Sequence, residues 1–234
     1  MTTLLVLGAK PDPALPPTGS CDAVACANAS GWSAARAGLP KPAYTVMTAQ
    51  LTDGSDAGRM RLDSLAGLST GNLVYYPRPH QGWRTLLRPK LRRMRAAVLR
   101  RELAARGYHW DRFVEHPNTW YLDRIRELCG EAPEVAAQIA AKLPSSGMVA
   151  VAMGLIDGRW SRVVLAGFSF ELTQASGLDP EIARRGTAAS AHRDTDVLVL
   201  QRLVERGLSV VTTEHTVHAA AGVPMLDHER TIVA

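Results

Sequence analysis

Three short stretches of the 234-residue chain carry residue types suited to transferring a chemical group. Leu143-Pro144-Ser145-Ser146-Gly147-Met148 precedes an apolar run and sets two hydroxyls and backbone N–H groups at a helix start. Such a start favours a carboxylate or phosphate through its N–H groups and the helix dipole. The alternative is a serine that simply caps the helix. His192-Arg193-Asp194-Thr195-Asp196 places a histidine just before a second helix. A histidine oriented by a carboxylate is the usual general base for a hydroxyl, yet acids in a first turn also suit an ordinary surface helix. Gly8 and Asn28 complete the set, each ending an apolar strand. Asn28 offers a donor and an acceptor to a phosphate or a base edge, or else caps the helix that follows.

These residues need a scaffold, and the hydrophobic pattern supplies one. Short apolar runs at 3–7, 22–27, 43–47, 72–76, 162–167 and 208–212 predict strands. Helical spacing or propensity marks 30–37, 92–106, 119–129, 133–142, 146–156 and 194–206. The alternation predicts an α/β fold, a Rossmann-like and mostly parallel sheet with helices on both faces. We expect a single domain over 1–234, with a helical basic insertion at 78–142. In open α/β sheets ligands sit outside the carboxyl ends of the strands, which puts Gly8 and Asn28 on the ligand rim.

With 46% apolar and 21% charged residues, the chain has an ordinary soluble composition. No run approaches the roughly 20 apolar residues of a membrane span, and residues 1–8 read as a strand rather than a signal peptide. Cys21, Cys26 and Cys129 are too few and scattered for a disulfide framework or a closed zinc site. His215 and His218 lack partners in obvious register. No metal is therefore expected, and a cytoplasmic location is.

In order and spacing, these features resemble the bacterial CMP-sialic-acid-dependent sialyltransferases that decorate lipooligosaccharide. A looser likeness is to the small-motif and very-small-motif region of animal sialyltransferases. The matching residues are Pro144-Ser145-Ser146-Gly147-Met148, Val164-Leu165-Ala166-Gly167-Phe168-Ser169-Phe170, Ala191-His192-Arg193-Asp194-Thr195-Asp196-Val197 and the helix and strand over 200–212. Leu5-Val6-Leu7-Gly8 and Cys26-Ala27-Asn28 add a weaker match. The resemblance implies metal-independent, inverting transfer of a sugar acid from a CMP donor to a glycan or glycolipid hydroxyl, without a cofactor. It implies that His192 takes the acceptor proton, that Ser145, Ser146 and the Gly147 N–H face the sugar carboxylate, and that Gly8 and Asn28 hold the CMP. The chain also departs from the family. Gly8-Ala9-Lys10-Pro11-Asp12 replaces Gly-Asn-Gly-Pro-Ser, and Thr48 stands where the family has a second substrate-binding asparagine. Two tyrosines that steady the leaving phosphate have no counterpart in 171–191. Arg184 and Arg185 lie there and can pair with phosphate, or else belong to an exposed loop. Sialic acid and a related 2-keto sugar acid such as Kdo both stay open as the transferred sugar.

One element stands apart. Residues 84–106 hold nine basic side chains and one acid, a net +8 against +5 for the whole chain, so the remainder carries −3. With Leu86, Leu87, Leu91 and Val98 interspersed, the segment can form a cationic amphipathic surface. A solvated basic helix is one reading. Contact of Arg88, Lys90, Arg92, Arg93 and Arg95 with an anionic membrane or an acidic glycan acceptor is another, giving a peripheral place at the inner membrane face. Nucleic acid ranks last, because no recognised binding fold accompanies the patch. The competing function classes are thus a non-catalytic nucleotide-sugar-binding protein and a nucleic-acid-binding protein.

Overall fold

The computed structural model describes residues 2–10, 12–77, 93–170 and 190–226. Seven strands form one sheet: β1 (Thr3–Leu7), β2 (Ala23–Ala27), β3 (Tyr44–Thr48), β4 (Ser69–Tyr76), β5 (His109–Glu115), β6 (Arg162–Ala166) and β7 (Val210–Thr212). Their order is β5-β4-β3-β2-β1-β6-β7, and every pairing is parallel. The helices are α1 (Ser30–Arg36), α2 (Asp56–Asp63), α3 (Ala96–Ala105), α4 (Asn118–Leu128), α5 (Pro133–Ala141), α6 (Ser146–Ile156), α7 (Arg193–Glu205) and α8 (His215–Ala221), with a 3₁₀ turn at Ala49–Thr52. The α/β, Rossmann-like fold expected from the alternation is therefore present. None of the helices among the described residues is long and apolar enough to cross a membrane.

Strand alternation distributes the core. Leu4, Val6, Ala25, Val46, Val74 and Leu165 face α4 to α8. Their neighbours Leu5, Leu7, Val24, Cys26 and Val164 face α1, while Met47, Leu73 and Tyr75 face α2 and α3. Helix α6 is buried almost all round, as its sequence predicts. It lies hard on the sheet because Gly154 has no side chain; a Cβ there would come 2.6 Å from Leu4 Cδ2. Tyr44 reinforces the contact by donating its hydroxyl to Ala150 O at 2.6 Å. The N-terminus of α6 is thereby held over the carboxyl rim of the central strands.

The 78–142 segment departs from the helical insertion expected of it. It contains β5, which pairs in parallel with β4 and extends the sheet. The sequence pattern gives no strand at His109–Glu115, because this exposed edge strand has neither an apolar run nor strict alternation: Asp111 and Arg112 are both exposed between Trp110 and Phe113. Short α2 and α8 carry too few apolar positions for a periodic signal.

The strand order reverses beside β1, between β6 and β2, and this switch point is where such sheets open a crevice. The turns after β1 and β6 touch there. Gly8 donates to Ala166 O at 2.8 Å and Lys10 to Gly167 O at 2.9 Å. A Cβ on Gly8 would lie 2.4 Å from Gly167 O, so the approach requires glycine. Glu214, after β7, fastens both turns from beneath. Its buried carboxylate accepts from Gly167 N at 2.8 Å, Ala14 N at 2.9 Å and Lys10 Nζ at 2.6 Å. We expect Glu214→Ala to strand two N–H donors and cost about 3 kcal/mol. A thermal melt should show this as a Tm lowered by roughly 6–12 °C, with Glu214→Gln falling between the two.

Candidate active site

The loop before α6 and the first turn of α7 are laced together residue by residue. Thr195 donates its hydroxyl to Lys142 O at 3.0 Å, and the His192 ring nitrogen Nδ1 lies 2.7 Å from Leu143 O. Ser145 N donates to Asp196 Oδ1 at 2.9 Å. A carbonyl can only accept, so His192 Nδ1 carries a proton. In the neutral ring this leaves the Nε2 lone pair as the basic site. The expectation that a carboxylate orients His192 is thereby corrected: the partner is the Leu143 main chain. Asp194 is exposed, while Asp196 is buried and turned toward Ser145. Burial pushes the Asp196 carboxyl up to about 6, against the opposing pull of its hydrogen bonds from Ser145 and the nearby His192.

The serine turn combines both of its sequence readings. Ser145 caps α6, its Oγ accepting from Met148 N at 3.2 Å. Ser146 and Gly147 then head the helix, where N–H groups have no partner inside it. Gly147 is pressed against an aromatic ring; a Cβ there would lie 2.8 Å from Phe168 Cε1.

Asn28 does not cap α1, whose N-cap is Ala29 without a side-chain bond. Asn28 instead adopts φ 51°, a left-handed conformation that asparagine tolerates well. There its amide spans two elements. Nδ2 donates to Ser146 Oγ at 2.7 Å, and Oδ1 accepts from Thr48 N at 2.9 Å. Because Ser146 Oγ is the acceptor in that bond, its own O–H proton can turn to a ligand.

A cleft of about 270 Å³ opens at this rim, and Gly8, Asn28, Ser145, Ser146, Gly147 and His192 all line it. Thr48 lines an adjoining recess of about 50 Å³ that shares Gln50, Pro144 and His192 with the main cleft. Arg93 and Arg95 are exposed at the approach to α3 and line neither cavity; Arg93 O accepts from Thr52 Oγ1 at 2.7 Å. Arg88, Lys90, Arg92, Arg184 and Arg185 lie outside the described residues. Among the described residues, no group of three His, Cys, Asp or Glu side chains is placed to hold a metal ion.

Three lining residues have no counterpart among the sequence candidates: Gln50, Arg61 and Ser190. Phe170 has φ 56°, a strained value for a bulky residue, and its carbonyl accepts from Ser190 N at 2.8 Å. That bond joins Phe170 to Ser190 at the cleft. Such strain is often concentrated at functional sites.

No protein-family model and no curated protein sequence matches the chain. Its fold, however, matches solved sialyltransferases. The sialyltransferase CstII from Campylobacter jejuni, in complex with the substrate analogue CMP-3FNeuAc, superposes with a TM-score of 0.58 at 11% identity, covering 100% of this chain and 90% of that one. Cst-II in complex with a trisaccharide acceptor and CMP gives 0.53 at 12% identity, covering 95% and 86%. The monofunctional α-2,3-sialyltransferase Cst-I from Campylobacter jejuni gives 0.50 at 13% identity, covering 99% and 86%. The chain thus shares the α/β fold of these glycosyltransferases across almost its whole length.

Asp196 makes the stability of the protein depend on pH. Its folded pKa lies above the ordinary aspartate value of about 4, so between about pH 4 and 6 the native state keeps a proton that the unfolded chain has released. Stability therefore falls as pH rises through that window and is flat above it. Relative to wild type, Asp196→Asn should gain on the order of 2–3 kcal/mol between pH 4 and pH 7, measured by urea denaturation at both values.

Proposed function

We propose that the protein transfers a 2-keto sugar acid from a CMP donor to a glycan hydroxyl with inversion at the anomeric carbon. The observation that carries this reading is the convergence of the α6 N-terminus and His192 on one cleft at the switch point of the sheet. The neighbours of the same fold, described as bound to CMP, a CMP-sugar analogue and a trisaccharide acceptor, support it.

The chemistry follows from the geometry. CMP occupies the crevice beside Gly8 and Gly167, where backbone approaches closely because both residues lack a side chain. The sugar acid lies toward the serine turn, its carboxylate receiving the N–H groups of Ser146 and Gly147 and the Ser146 hydroxyl. The acceptor oxygen attacks the anomeric carbon as the bond to the phosphate oxygen breaks, and that electron pair leaves with CMP. His192 Nε2 takes the acceptor proton. The transition state gathers negative charge on the leaving phosphate and positive charge on the sugar ring, so fixed dipoles stabilise it without reorganising. No step requires a metal ion. Sialic acid and Kdo present the same CMP-linked 2-keto acid, and the recognition described here serves either.

The exposed Arg93, Arg95, Arg100 and Arg101 give the α3 side a basic surface, which suits an acceptor on a glycolipid or acidic glycan at the inner face of a membrane.

CMP should raise the thermal midpoint of the wild type, and release of CMP from a CMP-sugar in the presence of glycans should report turnover. His192→Ala is expected to lower that turnover by about 10²–10⁴-fold while CMP still binds. Full turnover in the variant would remove His192 from the mechanism, and absence of CMP binding by the wild type would overturn the donor class.

A further inference from the structure

Among the described residues that line the cleft, Arg61 is the only lysine or arginine. It comes from α2, an element that contributes nothing else to the lining. Its approach is built into the helix. Gly58 sits one turn earlier on the same face, and a Cβ there would lie 2.8 Å from Leu51 O. That missing side chain lets α2 close onto the 3₁₀ turn that carries Gln50, which brings the Arg61 face to the cleft.

The order of the strands fixes which end of a donor meets this cation. Across the rim the lining passes from Gly167 after β6, to Gly8 after β1, to Asn28 after β2, to Gln50 after β3. The nucleotide belongs at the β1/β6 switch point, the far end from Arg61. The serine turn is joined to the β3 end, because Asn28 bridges Ser146 Oγ at 2.7 Å and Thr48 N at 2.9 Å. A sugar held against that turn therefore presents its acid group on the side from which Arg61 enters.

We propose that Arg61 selects the donor sugar: its guanidinium pairs with the carboxylate of the 2-keto sugar acid, so the cleft discriminates against neutral CMP-linked sugars. This rests on the CMP-sugar reading above and adds a specificity-determining residue to it. A guanidinium forms paired, charge-assisted hydrogen bonds with a carboxylate, whereas the serine turn alone offers neutral donors.

The test compares three ligands by calorimetry on the full chain: CMP, the 3-fluoro analogue of CMP-sialic acid, and the methyl ester of that analogue. Arg61→Met should weaken the free acid roughly ten- to hundredfold and leave CMP within about twofold, which also shows that the variant is folded. The ester should bind Arg61→Met and wild type alike, and Arg61→Lys should keep part of the preference for the acid. Unchanged affinity for the acid overturns the proposal. An equal loss for acid and ester does so too, since the contact would not be to the carboxylate, as does a parallel loss for CMP, which would place the guanidinium at the phosphate. If the wild type binds CMP but does not prefer acid over ester, this inference fails and the CMP reading stands. If the wild type binds no CMP, both fall.

Discussion

The site depends on a buried carboxylate. Asp196 holds the N–H of Ser145 and in doing so welds the start of α6 to the first turn of α7. That bond is the one that reaches the serine turn itself, two residues beyond the Leu143 carbonyl that holds His192. With the Thr195 and His192 bonds to Lys142 and Leu143, it ties the serine turn to His192. The arrangement is energetically expensive, since burial disfavours the ionised form of Asp196. Structures retain such groups where position matters more than stability.

The remaining supports converge on the same rim. Helix α6 is clamped by Gly154 and by the Tyr44 hydroxyl, so its N-terminus cannot tilt away from the strands. Glu214 fixes the Gly8 and Gly167 turns from the far side of the crevice. Asn28 joins the two halves, reaching from the end of β2 to α6 and to β3. The Glu214 and Asn28 bonds lie at the carboxyl ends of the strands, while the Gly154 and Tyr44 contacts hold the body of α6 to the sheet.

Much of this was readable from residue pattern, and what was not has physical reasons. The strands β1, β2, β3, β4 and β6 announce themselves as apolar runs, and Ser145, Gly147 and His192 lie where the helix starts predict. The polar edge strand β5 had no such signature. Asp196 looked like an ordinary first-turn acid, because sequence cannot show that α7 turns that residue inward against the α6 loop. Asn28 read equally as a cap; its bridging role depends on a left-handed backbone and on partners 20 and 118 residues away. Gln50 and Arg61 enter the cleft through the packing of a 3₁₀ turn against α2, for which Gly58 was the only local hint.

The bond between His192 and Leu143 has a consequence for how this site can drift. A side-chain partner can be mutated away and leaves a mark in any sequence comparison. A main-chain carbonyl does neither, so the proton arrangement of the ring is inherited with the path of the backbone rather than with any residue at 143. The one lettered trace of it is Pro144, whose ring confines the preceding residue to extended geometry and so helps aim the Leu143 carbonyl. Variation at position 143 is then nearly silent, while replacing its neighbour loosens a histidine 48 positions farther along the chain.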